Sequence, residues 1–289
     1  MKHRLRSLDP FLSFAYSSGD LPESSSESII PGFKVLSSPD ETPENLLKVV
    51  TLGGSTTSQY FLENWPKHFK SLLDDKQKPS ILYNGGVNGY SSNQELLKLI
   101  RDVLPLKPDI VISLTGINDI GFMHSIKKHP MIHPYSNYVL QTVLSKRIRS
   151  KQKQDVINDI NYGPVVDTTP AEQWKKNLRL MSAITREYGV RFYAFLQPTM
   201  GVGKYTPSEH ENEMLDAYNE ARGGVYIKET LAFYEDAIKT CDKYDNVINL
   251  VDILKDSRDL YYNPRHQNAE GYKLIANAIF THLVDAKAI

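Results

Sequence analysis

Ser55 ends the run Val49-Val50-Thr51-Leu52-Gly53-Gly54. Two glycines permit a tight turn after an apolar segment and carry the Ser55 hydroxyl and backbone N–H to the start of the next element. A serine there is either a nucleophile in need of a base or the N-cap of a helix. Three further clusters hold the groups that such a nucleophile requires. The loop Asn84-Gly85-Gly86-Val87-Asn88-Gly89-Tyr90-Ser91-Ser92 offers backbone N–H groups that could receive an oxyanion. Gly116-Ile117-Asn118-Asp119 supplies a neutral amide, Asn118, able to donate to a developing alkoxide or to brace its own loop. Asn263-Pro264-Arg265-His266-Gln267-Asn268-Ala269-Glu270-Gly271 supplies His266, whose neutral imidazole can take a serine proton near neutral pH.

The elements that must position these groups are visible as short apolar runs alternating with longer amphipathic stretches. The runs at 48–52, 80–83, 109–114, 190–196 and 247–251 read as five buried parallel strands. Segments 59–73, 93–104, 171–188, 225–239 and 268–283 read as helices, those between strands being long enough to cross over a sheet. This alternation predicts an α/β protein, a three-layer α/β/α sandwich with a five-stranded, mainly parallel sheet. In such sheets ligands bind beyond the carboxyl ends of the strands, where three of the four clusters fall. Residues 1–45 read as an irregular N-terminal arm, rich in Ser, Pro and Glu over 17–45. The remaining 46–289 form one domain with a lid-like insertion at 121–170, too long for a simple loop.

The 34 basic residues balance the 34 acidic ones, so no global field gathers nucleic acid or anionic membrane. The single Cys241 excludes an intramolecular disulfide and a thiolate cluster. No window is long and apolar enough for a membrane span, and the N-terminus lacks the apolar stretch of a signal peptide. With Met1 as the start, the expectation is a cytoplasmic protein acting on a small-molecule or glycan substrate, with its oligomeric state open.

Taken together and in order, the four clusters resemble the SGNH hydrolases, the GDSL-type esterases and lipases. Gly53-Gly54-Ser55-Thr56 resembles the nucleophile block in its Gly-Gly-Ser-Thr form, Gly86-Val87-Asn88-Gly89-Tyr90-Ser91-Ser92 the glycine block, Gly116-Ile117-Asn118-Asp119 the Gly-x-Asn-Asp block, and His266 to Gly271 the tail of the histidine block. The resemblance covers about 48–283 and implies a flavodoxin-like SGNH fold. It implies Ser55 as nucleophile, His266 as base, and an oxyanion hole made by the Ser55 N–H, the Gly89 N–H and the Asn118 side chain. It requires no cofactor and no metal.

One position departs from the family pattern. Asp usually stands three residues before the histidine, where this chain has Asn263. An amide supplies no charge, and its NH2 end would favour the wrong imidazole tautomer. Asn263 through its carbonyl, or a backbone carbonyl, could orient His266; so could Asp256 or Asp259; or the protein is a weakened form.

Other signals are weaker. Gly201-Val202-Gly203-Lys204 lacks phosphate-loop spacing, with Tyr205 where Ser or Thr belongs. His124, His129 and His133 have no interleaved acid and read as a loop rather than a metal site. The basic run 146–151 reads as a solvated face that could attract an anionic partner. Gln197 and Tyr262 are candidate substrate contacts, with a plain turn and core packing as their structural alternatives. The expected function is a serine esterase that removes a short acyl group, such as O-acetyl, from a carbohydrate or other polar substrate. An O-acetyltransferase with acetyl-CoA as donor and a glycan hydroxyl as acceptor, or a catalytically impaired glycan-binding protein, are the alternatives.

Overall fold

A computed structural model of the chain describes residues 7–9, 11–16, 27–37, 46–61, 63–124 and 167–289. Its strands are β1 (Ser7–Asp9), β2 (Ser13–Ala15), β3 (Glu27–Ile30), β4 (Phe33–Ser37), β5 (Leu47–Gly53), β6 (Ser80–Asn84), β7 (Ile110–Thr115), β8 (Arg191–Leu196), β9 (Val247–Asn249), β10 (Tyr261–Asn263) and β11 (His266–Gln267). Its α-helices are α1 (Trp65–Asp75), α2 (Ser92–Lys98), α3 (Pro170–Glu187), α4 (Glu209–Glu220), α5 (Tyr226–Cys241) and α6 (Ala269–Asp285). A π-helical turn, Leu99–Val103, prolongs α2.

All five apolar runs are strands, and they pair in parallel in the order β6-β5-β7-β8-β9. This is the doubly wound order with a reversal between β5 and β7, the place where such sheets open a crevice at their carboxyl ends. Neighbouring residues on one strand face opposite layers. Val50 and Val111 pack with Trp174, Leu178 and Phe233 from α3 and α5, whereas Val49, Ile110 and Ile112 pack with Trp65, Phe69 and Ile275 from α1 and α6. Burial on both sides is why these strands carry continuous apolar runs rather than alternation.

The sheet has seven strands rather than five, because β3 and β4 extend its edge as an antiparallel hairpin on β6. Ile30 pairs with Phe33 across Pro31-Gly32, and Gly32 has φ +84, so the turn places proline and then a left-handed glycine where a type II turn needs them. Buried Lys98 fastens the hairpin to α2: its Nζ donates to Gly32 O at 2.8 Å and sits 4.4 Å from the Phe33 ring centroid. The arm expected to be irregular over 1–45 is therefore structured where it is described, and the sheet begins before residue 46. Helix α4 is a second difference. It is not among the helices expected from the sequence, because only Glu211 and Leu215 of its residues are buried, which leaves little apolar periodicity to read. Most of the expected 121–170 insertion lies outside the described residues, as do His129, His133, the His124 side chain and the basic run 146–151. Among the described residues no helix is long and apolar enough to cross a membrane. Cys241 is partly buried and its thiol is pushed up to about 12, in keeping with a packing role.

Candidate active site

Ser55 does not cap a helix. The first helix begins ten residues later at Trp65, with Asn64 as its N-cap, its Oδ1 accepting from Lys67 N at 3.1 Å. Ser55 instead lies in a tight turn closed by Thr57 N to Gly54 O and Ser58 N to Ser55 O, both 3.2 Å. The turn is fastened from below, since Trp65 Nε1 donates to Thr57 Oγ1 at 3.0 Å and Val87 N donates to Gly53 O at 3.1 Å. Gly53 tolerates no side chain, because a Cβ there would lie 2.3 Å from Thr57 Oγ1 and 2.6 Å from Leu114 O.

The glycine loop and Asn118 meet this turn from the other side. Gly89 has φ +83, a left-handed conformation that suits glycine. Asn118 Nδ2 donates to Tyr90 O at 2.9 Å. The same nitrogen would lie 2.3 Å from a Cβ built on Gly54, so the amide is pressed against the backbone immediately before Ser55. An amide NH2 carries two protons, and one remains to meet a substrate oxygen. Asp119 holds the two loops in register: it accepts from Ser92 N at 3.1 Å and from the Ser92 hydroxyl, and burial pushes its carboxyl up to about 7. The described part of the N-terminal arm presses on the outside of the same loop. Tyr90 Oη donates to Phe14 O at 2.6 Å, and Leu12, Phe14 and Tyr16 are buried with Val87 and Tyr90.

His266 arrives on the β10–β11 hairpin and its Nε2 lies 2.5 Å from Ser55 Oγ, a contact spanning 211 positions of sequence. Its Nδ1 lies 2.8 Å from Asn263 Oδ1. Asn263 Oδ1 also accepts the backbone N–H of Arg265 at 3.0 Å. A backbone N–H can only donate, so the carbonyl end of the amide must face inward, and the ring nitrogen beside it must carry a proton. Nε2 then presents its lone pair to Ser55. The tautomer expected to be at risk from an asparagine is therefore set correctly, and Arg265 N–H sets it. Asp256 and Asp259, the carboxylate alternatives, are exposed, and Nδ1 is taken by Asn263.

The hairpin is held by residues that motif spacing does not announce. Glu211 of α4 is buried, accepts from Tyr205 Oη at 2.8 Å, and accepts from Tyr261 N at 3.0 Å. Its one sequence signal is the capping box it forms with Ser208. Thr199 Oγ1 and Met200 N donate to Pro264 O at 2.8 and 3.0 Å, tying the hairpin to the loop after β8. Of the two expected substrate contacts, Tyr262 is exposed and stacks on the His266 ring, centroids 5.5 Å apart and planes 11° apart. Gln197 is buried at the end of β8, its backbone N bonded to Thr115 O at 3.1 Å, which leaves it beneath the surface rather than on it.

Burial first, and the Arg265 charge second, push His266 down to about 4. The imidazole is thus neutral and able to accept a proton at any pH well above 4. The acid limb of kcat/KM, which reports the free enzyme, is expected near pH 4 rather than at the ordinary histidine value. An Asn263→Asp carboxylate would stabilise the imidazolium and move that limb upward. Because the tautomer is already right, only the electrostatic share of the usual aspartate effect is left to gain, about ten- to a hundredfold in kcat. A pH–rate profile of the variant checks both effects. An unmoved limb and an unchanged kcat would show that Asn263 does not govern the ring.

Residues 51–274 match the model of the GDSL-like lipase/acylhydrolase family. Among solved structures, a variant of an acetyl-xylooligosaccharide esterase from Geobacillus stearothermophilus is 14% identical, with TM-score 0.50, 82% of this chain and 94% of that one being covered. An acetyl xylan esterase, AlAXEase, is 17% identical, with TM-score 0.49, 81% of this chain and 98% of that one being covered. No curated protein sequence matches.

Proposed function

The chain belongs to the GDSL-like lipase/acylhydrolase family, and from that premise we propose that it is a serine esterase that removes a short acyl group from a polar substrate through an acyl-enzyme on Ser55. The hydrogen-bonded chain Ser55 Oγ, His266 Nε2, His266 Nδ1, Asn263 Oδ1 carries this reading. Ser55 Oγ attacks the ester carbonyl carbon while Nε2 takes its proton, and the imidazolium keeps its Nδ1–H on Asn263. The carbonyl oxygen becomes an oxyanion received by the Ser55 N–H, the Gly89 N–H and Asn118 Nδ2. As the tetrahedral intermediate collapses, Nε2–H passes its proton to the departing alcohol oxygen. Water then gives its proton to Nε2 and attacks the acyl carbon, the carboxylic acid leaves, and the Ser55 hydroxyl is restored.

A fluorophosphonate probe and p-nitrophenyl acetate test this without the natural substrate. We expect stoichiometric labelling, mapped by mass spectrometry to the peptide bearing Ser55, and loss of esterase activity in step with it. Protein that is folded yet unlabelled and inactive, while still binding a glycan, would be a binding protein instead. The acetyl-xylooligosaccharide esterase among the similar folds makes acetylated xylo-oligosaccharides the first glycans to try. Release of acetate from them supports hydrolysis, and acetyl-CoA turnover that depends on a glycan acceptor would support transfer.

A further inference from the structure

A cavity of about 290 Å³ lies between the turn that follows Asn118 and the hairpin that carries His266. Ile120, Gly121, Arg222, Tyr226, Glu229 and Arg265 line it. In sequence its lining begins two residues after the proposed oxyanion donor and ends one residue before the proposed base. We propose that this cavity binds a carboxylate or phosphate on the alcohol part of the ester, through Arg222 and Arg265; the assignment to an ester rests on the esterase reading above.

Both guanidinium groups sit over tyrosine rings. Arg222 Cζ lies 3.5 Å from the Tyr218 ring centroid, and Arg265 Cζ lies 5.1 Å from that of Tyr226. Stacking uses the π face of a guanidinium and leaves its in-plane N–H groups directed outward, the geometry that meets a planar anion side-on. Arg265 Nε is buried without a hydrogen-bond partner, a costly state. Among the described residues neither arginine has a carboxylate at ion-pair distance. Among the described residues that line the cavity, two arginines stand beside one acid, Glu229. The side of the ester follows from proton flow. His266 delivers its proton to the leaving alcohol, so the alcohol lies on the His266 side, and Arg265 is the neighbouring residue.

The test compares 4-acetoxybenzoate with its neutral isostere 4-acetoxybenzamide on the full chain. The wild-type protein should favour the benzoate in kcat/KM by tenfold or more at low salt. Arg222→Gln, an exposed position whose loss leaves the core intact, should cut that ratio at least tenfold, and Glu229→Gln should raise it. A wild-type ratio near one, or a ratio unaltered by Arg222→Gln, overturns the inference while leaving the esterase in place. So does a charge preference found only for phenyl hydrogen succinate, whose anion is on the acyl side. Calorimetry with 4-acetamidobenzoate and 4-acetamidobenzamide, which need no turnover, separates the two readings. Tenfold tighter binding of the benzoate that Arg222→Gln abolishes, in a protein that cleaves no ester, sustains the anion site and removes the esterase.

Discussion

Ser55→Ala and His266→Ala are each expected to lower kcat on p-nitrophenyl acetate by about ten-thousand- to a hundred-thousandfold. In a serine hydrolase with an aspartate as third member, loss of the nucleophile or the base costs about two-million-fold. Here the starting rate is lower, because the Asn263 amide holds the ring by one neutral hydrogen bond and supplies no charge to the imidazolium. Dividing by about ten to a hundred for that missing charge gives about 2 × 10⁴ to 2 × 10⁵, the order of the stated range. The two residues share one proton, so their effects should not add: the double variant is expected to be no slower than either single one. Far-ultraviolet circular dichroism and melting temperature should remain close to wild type, since Ser55 and His266 are both only half-buried. A single variant that keeps more than about a hundredth of the wild-type rate would remove that residue from the chemistry.

The legible and the hidden parts of this site differ in the range of the interactions that make them. The five parallel strands could be read because burial on both faces demands unbroken apolar runs, such as Ile110 to Leu114. The β3–β4 hairpin could not, because Pro31-Gly32 and the neighbouring serines dominate its composition, while its stability comes from pairing with β6 and from Lys98, distant in sequence. Ser55 looked like a helix start because glycine followed by serine or threonine is a common cap signal. The helix is delayed to Trp65 by Asn64, which bonds Ser58 O and Phe61 O through its Nδ2 and Lys67 N through its Oδ1. The Asn263 position was legible, but the direction of its amide was not. That direction depends on the backbone N–H of Arg265, which reaches Asn263 only because the hairpin turns there. Glu211 was hidden for a related reason: its partners Tyr205 and Tyr261 lie on separate segments that only the folded chain brings together.

Asn118→Ala is expected to lower kcat by about a hundred- to a thousandfold while KM moves little, the behaviour of a donor whose bond strengthens as the oxyanion forms. Two effects of the substitution must be separated, because Asn118 Nδ2 also donates to Tyr90 O at 2.9 Å. Losing that structural bond costs about 1 kcal/mol of stability. Losing an oxyanion donor raises the barrier by about 2.7–4 kcal/mol, so the catalytic effect dominates and a modest fall in melting temperature cannot account for it. Asn118→Asp sharpens the distinction. The carboxylate keeps the shape but cannot donate when ionised, and it opposes the developing charge, so it should be slower still at neutral pH. Gly54→Ala approaches the same group from the other side. A methyl at that position would fall 2.3 Å from Asn118 Nδ2 and must displace the amide, so kcat should fall toward the Asn118→Ala value with both of the amide's own atoms intact. If Asn118→Ala stays within about fivefold of wild type in kcat, the oxyanion is held by backbone N–H groups alone, and Asn118 only ties its loop to Tyr90.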